Sequence, residues 1–116
     1  MNVVWLIGNV VKDADPSVTS TGKKVANFRI ATNEGFGDAR RTDYHSIVCW
    51  EALAEEANAK AHTGVKCMVQ GRLSTSNYES KKHPGEKVYV PEVVASSVRY
   101  LVDDSEEDLT EIKFGA

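Results

Sequence analysis

The chain has 116 residues, 41% of them hydrophobic and 27% charged, with a formal net charge of −3. That length supports one domain around a single core, and no apolar run approaches what a bilayer span requires. The opening run Met1-Asn-Val-Val-Trp-Leu-Ile-Gly8 lacks a basic leader and reads as a strand, so no signal peptide is expected and the compartment is the cytoplasm.

The net charge conceals an asymmetry. Residues 1–102 hold 13 basic and 11 acidic side chains, net +2, whereas residues 103–116 hold one lysine and six acids, net −5. The organisation is therefore a mildly basic domain over 1–102 followed by a short acidic tail over 103–116. Cys49 and Cys67 fall in apolar, strand-like runs without CxxC spacing. Buried, reduced thiols are the expectation, and no metal or other cofactor is implied.

The first strand is expected over residues 3–11, stopped by Lys12-Asp-Ala-Asp-Pro16 and a Ser/Thr/Gly loop to Gly22. A second covers about residues 24–32, with Val25, Phe28 and Ile30 apolar. The loop Asn33-Glu-Gly-Phe-Gly-Asp-Ala-Arg40 carries an aromatic between two glycines and leads to a third strand at 41–50. Residues 51–61, rich in Ala and Glu and free of β-branching, predict one helix. Leu53, Ala54, Ala57 and Ala61 form its narrow apolar stripe, and Gly64 is placed to end it. The fourth strand starts near Val65, with Val65, Cys67 and Val69 on one face, and continues towards Tyr78. A polar turn at 79–87 pivots on Pro84-Gly85, and a fifth strand over 88–102 contains Pro91, which argues for an edge or bulge. Three strands, one short helix, then a long two-stranded hairpin give an all-β class with one short helix. The expected architecture is a five-stranded OB-fold barrel with the helix between strands three and four. That order does not by itself decide function.

Four aromatics, Phe36, Tyr44, Trp50 and Tyr78, lie in or beside polar strand and loop segments with basic residues around them. Alternation along 41–50 sets Tyr44, Ser46, Val48 and Trp50 on one face and His45, Ile47 and Cys49 on the other. Ile47 and Cys49 suit the core, which turns Tyr44 and Trp50 outward. Any one of the four aromatics also fits a barrel core; together they favour a surface on which unpaired bases stack. Candidate phosphate contacts are Lys12, Lys23, Arg40, Arg41, Arg72, Lys81, Lys82 and Lys87, with Arg41 and Arg72 foremost. For each the plain alternative is a solvated surface charge, and for any single lysine that alternative comes first. His45, Cys49, His62 and Cys67 match no metal-ligand spacing. No nucleophile–base set, phosphate-cradling loop or paired carboxylates point to an enzyme.

Several segments in order, Asn2-Val-Val-Trp-Leu-Ile-Gly-Asn-Val10, Val25-Ala-Asn-Phe-Arg-Ile-Ala-Thr-Asn33, Thr42-Asp-Tyr-His45, Leu53-Ala-Glu55 and Val69-Gln-Gly-Arg-Leu73, resemble the bacterial-type single-stranded DNA-binding protein family. The resemblance runs from about residue 2 to residue 102. It implies a non-enzymatic binder of single-stranded DNA, with Phe36, Tyr44, Trp50 and Tyr78 at the family's stacking positions. It also implies a homo-oligomer, a tetramer by family, with His45 at or near the subunit interface. Such a protein coats and protects single strands and removes their hairpins in replication, recombination and repair, without crossing a membrane, in the cytoplasm at the nucleoid. Two departures stand out. Ser74-Thr-Ser-Asn77 is less basic than the family's segment there, and the tail ends Lys-Phe-Gly-Ala116 rather than Pro-Phe after a long linker. Replication or repair proteins remain possible partners of the acidic tail. These departures keep an alternative open, an OB-fold adaptor in a replication-restart assembly whose DNA binding is secondary.

Overall fold

A computed structural model describes residues 1–79 and 85–101, with the side chains of 76–79, 87 and 88 outside that description. Its order is β1 (Val4–Val18), β2 (Lys24–Glu34), a 3-10 turn (Gly37–Ala39), β3 (Arg41–Trp50), α1 (Ala52–Lys60), β4 (Lys66–Glu79) and β5 (Lys87–Leu101). The strands close into a barrel in the order β1-β2-β3-β5-β4, with α1 between β3 and β4 as expected. All neighbours are antiparallel except β3 and β5, which meet in a short parallel contact, Ile47 with Val93 and Val48 with Val94. No helix among the described residues is long and apolar enough to cross a membrane.

Inward alternation builds the core. Phe28, Ile30, Ile47, Cys49, Cys67 and Val69 are each at most 1% exposed, and burial of side chains the size of Ile or Phe contributes about 1.5–3 kcal/mol apiece. The predicted alanine stripe Ala54, Ala57 and Ala61 closes one end of this core, with Leu53 packed at its margin. Small residues there let the helix backbone approach the barrel. Two glycines serve the same purpose between strands. A β-carbon on Gly8 would collide with the carbonyl of Ala31, and one on Gly71 with the carbonyl of Val94.

The structure departs from the local sequence signals in two places. β1 does not stop at Val11 but runs through Pro16 to Val18. Register shifts at Val10/Lys12 and Lys12/Asp15 bend it, and from Pro16 onward it pairs with β2 alone. A proline without a donor is tolerated on such a one-sided stretch. Pro91 sits at the edge position that the sequence allowed, paired with β4 alone because the β3 contact is confined to Val93 and Val94; the irregularity in the β4–β5 ladder lies at Gln70/Gly71. The helix ends at Lys60 with Ala61 as its cap, so Gly64, at φ 98°, turns the chain into β4 rather than ending the helix.

Side-chain clamps hold the barrel seams. Asn2 accepts from the Leu73 amide and donates to the Leu73 carbonyl, both at 2.8 Å, extending the β1–β4 seam two residues beyond the Val4–Gly71 pair. Asp13 Oδ1 accepts from the Thr63 amide and hydroxyl, both at 2.7 Å, fastening β1 to the turn before β4. These bonds, aided by His62, hold the Asp13 carboxyl below its ordinary value. Lys24 pairs with Glu55, tying β2 to α1.

Candidate nucleic-acid interface

The outer face of β2 and β3 follows from the same alternation that fills the core. With Phe28, Ile30, Ile47 and Cys49 inside, Arg29, Tyr44, Ser46 and Trp50 turn out. Tyr44 is 58% exposed and Trp50 39%. Along an extended strand they are about 20 Å apart, at ~3.3 Å per residue, room for a stretch of single strand rather than one nucleotide. Val48, on the same face, is buried. Phe36 is 91% exposed and caps the 3-10 turn in the β2–β3 loop. Thr42 donates to Asn33 Oδ1 at 2.6 Å across the neck of that loop. These three predicted stacking residues therefore belong to one continuous β2–loop–β3 unit. Tyr78 pairs by backbone with Val88 in the β4–β5 hairpin, and its side chain lies outside the described residues.

The charges are distributed less simply than the sequence implied. Arg29, which sequence reasoning did not single out, places its guanidinium 5.8 Å from the Tyr44 ring centroid, within cation–π range. The signal for it lay in the register, which sets Ala31 opposite Tyr44 and Arg29 opposite Ser46. Lys12 pairs with Arg29 across β1 and β2 and lines a groove with it. Arg41 is exposed, but its Nε sits 3.2 Å from Asp43, so its charge is shared with a carboxylate. Arg72 lines a separate groove with Asn2, Val3, Val94 and Ser96. Lys23 and Arg40 are exposed in loops. Lys81 and Lys82, the Lys87 side chain and the acidic tail lie outside the described residues.

His45 is half-buried, and its Nε2 is 2.9 Å from the Thr32 hydroxyl, opposite in sense to Tyr44. Cys49 and Cys67 are free and fully enclosed. Burial, with Cys67 nearby, pushes the Cys49 thiol up to about 12, and burial pushes Cys67 up to about 11. Both are neutral and unreactive near pH 7. Among the described residues, no three His, Cys, Asp or Glu side chains converge as a metal site would require.

A second exposed apolar surface also escaped the sequence reading. Val3, just before β1, and Trp5 and Ile7, outward on its first half, are 51%, 60% and 56% exposed. Tyr89 on β5 is 64% exposed.

Over residues 1–101 the sequence matches the Single-strand binding protein family. The chain belongs to that family. Single-stranded DNA-binding protein 1 of Staphylococcus aureus (strain MSSA476) is 37% identical over 116 aligned residues, spanning 94% of this chain and 73% of the relative. The single-stranded DNA-binding protein of Bacillus cereus is 39% identical over 104 residues, spanning 87% of this chain and 60% of the relative. Among solved structures, a Plasmodium falciparum SSB in complex with ssDNA aligns at a TM-score of 0.78 and 27% identity, covering 88% of this chain and 96% of that one. The OB-fold expectation and the family resemblance both stand on these matches together with the closed barrel.

Proposed function

We propose that this single-strand binding family member coats single-stranded DNA with little overall sequence preference. Bases stack on Phe36, Tyr44, Trp50 and Tyr78, while Lys12 and the neighbouring cations meet phosphates. The observation that carries the reading is the exposure of Phe36, Tyr44 and Trp50 on one β2–β3 unit, with Arg29 against Tyr44. Large aromatics left in water are unfavourable unless a partner covers them, and every base offers a π-face to do so. Binding only the unpaired strand then pulls hairpin melting by mass action, with no catalytic step and no cofactor. Residues 1–102 act as the binding domain and 103–116 as a tail open to protein partners. The setting is replication, recombination and repair in the cytoplasm, at the nucleoid.

The same reading includes self-assembly, a tetramer by family. Residues 4–8 of β1 are paired with β4 while their outward Val3–Trp5–Ile7 stripe faces water. A second copy presenting the same stripe would remove it from solvent. His45 belongs to the interface in this scheme, oriented by Thr32.

The test is a fluorescence titration with oligo-dT at two salt concentrations, run on the protein and on Trp50→Phe. Quenching by oligo-dT but not duplex, weakening with salt and lost in Trp50→Phe while Trp5 still emits, supports stacking plus phosphate contact. Absence of binding to any single strand would overturn the reading and favour the adaptor role.

A further inference from the structure

Three outward side chains stand in one row across β2, β3 and β5. Arg29 is the register partner of Ser46, and the parallel pairing of Ile47 with Val93 sets Ser46 level with Glu92. Their chain neighbours Phe28, Ile30, Ile47 and Val93 are buried, so alternation turns Arg29, Ser46 and Glu92 to the surface. Two adjoining grooves of about 260 and 170 Å³ share these three residues, and the larger also includes Tyr44. With strands ~4.8 Å apart, the Arg29 and Glu92 backbones are separated by about 10 Å. Among the described residues, no ion pair joins the two. A guanidinium and a carboxylate thus flank a small polar floor, beside a ring already positioned for stacking.

A carboxylate on a surface that meets phosphates weakens binding unless it has a donor to accept from. The bases differ in what they offer. Guanine alone presents the N7 and O6 acceptors on one edge and two adjacent donors, N1–H and the N2 amino group, on the next. Its acceptor edge matches Arg29 and its donor edge matches Glu92, and in a single strand both edges are free. Thymine would turn carbonyl oxygens to either side of its single N–H, against the Glu92 carboxylate. Adenine and cytosine each set one amino group beside a ring-nitrogen acceptor, which leaves one carboxylate oxygen opposed by a lone pair.

We propose that the Arg29–Ser46–Glu92 row is a guanine-reading subsite next to the Tyr44 stacking position, giving one preferred base within an otherwise tolerant groove. This inference rests on the single-stranded DNA reading above. Arg29 has two roles in it, holding the Tyr44 ring from one side and donating to guanine N7 and O6. Glu92 accepts from N1–H and N2–H, and Ser46 supplies a floor too small to obstruct the base.

The experiment is competition binding with thymine strands carrying isolated guanines, against all-thymine strands of equal length. Parallel strands carry inosine, which lacks the N2 amino group, or 7-deazaguanine, which lacks N7. Guanine strands are expected to bind at least about fivefold tighter than thymine strands, the low end of discrimination by a bidentate base contact. Inosine and 7-deazaguanine should each give up part of that gain. Glu92→Leu should abolish the difference between guanine and inosine, and Arg29→Leu the difference between guanine and 7-deazaguanine, since leucine neither donates nor accepts. Equal binding of guanine and thymine strands, or a guanine–inosine difference that survives in Glu92→Leu, overturns the subsite and leaves the general function standing. If no strand binds, the general function falls and the subsite with it.

Discussion

Trp5 and Tyr44 are almost equally exposed, 60% and 58%, on outward strand positions of the same barrel, yet their surroundings differ in kind. Trp5 lies between Val3 and Ile7 on β1, with the uncharged Gln70 opposite it on β4. Tyr44 lies beside Arg29 and Ser46, with Glu92 across the groove. An aliphatic stripe has nothing to offer a polyanion but fits a second copy of itself. A ring next to a cation and hydrogen-bonding groups fits a planar, charged, donor-rich ligand. Exposure alone identifies neither face; the neighbours do.

The sharpest way to break this comparison is to put a charge on the aliphatic face. Trp5→Glu should shift the assembly towards monomer in sedimentation equilibrium, weakening the subunit contact by at least about 3 kcal/mol, the low end for an uncompensated buried charge. Binding of a strand short enough for one subunit should be unaffected. The reciprocal change, Trp50→Ala, should weaken oligo-dT binding by about 1–3 kcal/mol, a range measured partly on proteins of this family, and leave the assembly intact. If Trp5→Glu spared the assembly and cut DNA binding, the assignment of the two faces would be reversed.

Much of this was legible from local pattern. Alternation in 41–50 separated Tyr44 and Trp50 from Ile47 and Cys49, and the structure keeps them so. The alanine stripe at Ala54, Ala57 and Ala61 marked the buried side of the helix. What escaped depends on other strands. The Arg29–Tyr44 contact exists only because the β2–β3 register brings the two together. The extension of β1 through Pro16 defies local turn signals because register shifts and one-sided pairing accommodate it. The Arg41–Asp43 pair lies within the reach of alternation, two residues apart on one face, and it makes Arg41 a paired rather than a free cation.

Glu51, within the Ala/Glu-rich run that predicts the helix, lies outside it with its backbone at φ 53° and ψ −119°. This is the only positive φ at a non-glycine residue among the described ones. It makes the sharp turn from Trp50 into α1, with its amide donating to the Lys24 carbonyl at 2.9 Å. Glycine adopts such a conformation without the penalty that a β-carbon incurs. Glu51→Gly is therefore expected to raise the unfolding free energy by about 1 kcal/mol, after the greater freedom of glycine in the unfolded chain offsets part of the relieved strain. Denaturant melts measure the gain, and oligo-dT titration of the same variant sharpens the comparison. Altered affinity at unchanged assembly would show that the turn sets the pose of Trp50, an influence confined to the DNA face.

The smallest effect concerns the other half of β1, where Asp13 rather than Trp5 does the holding. Its carboxyl is held below the ordinary 3.8, first by the Thr63 hydroxyl, then by the Thr63 amide and His62. A carboxyl with a depressed folded-state pKa favours folding above its unfolded pKa, and that contribution disappears as pH falls through the folded value. Thr63→Val removes the hydroxyl donor and keeps the shape. The variant should melt slightly below the parent at pH 7, and the gap should close as pH drops below about 4. Because the clasp is exposed, the difference is small and survives added salt only in part. A gap that persisted at pH 2 would assign the loss to packing of the Thr63 side chain instead. Assembly through Val3, Trp5 and Ile7 should remain unchanged in either case, since the clasp fastens β1 within its irregular stretch and the stripe lies before it.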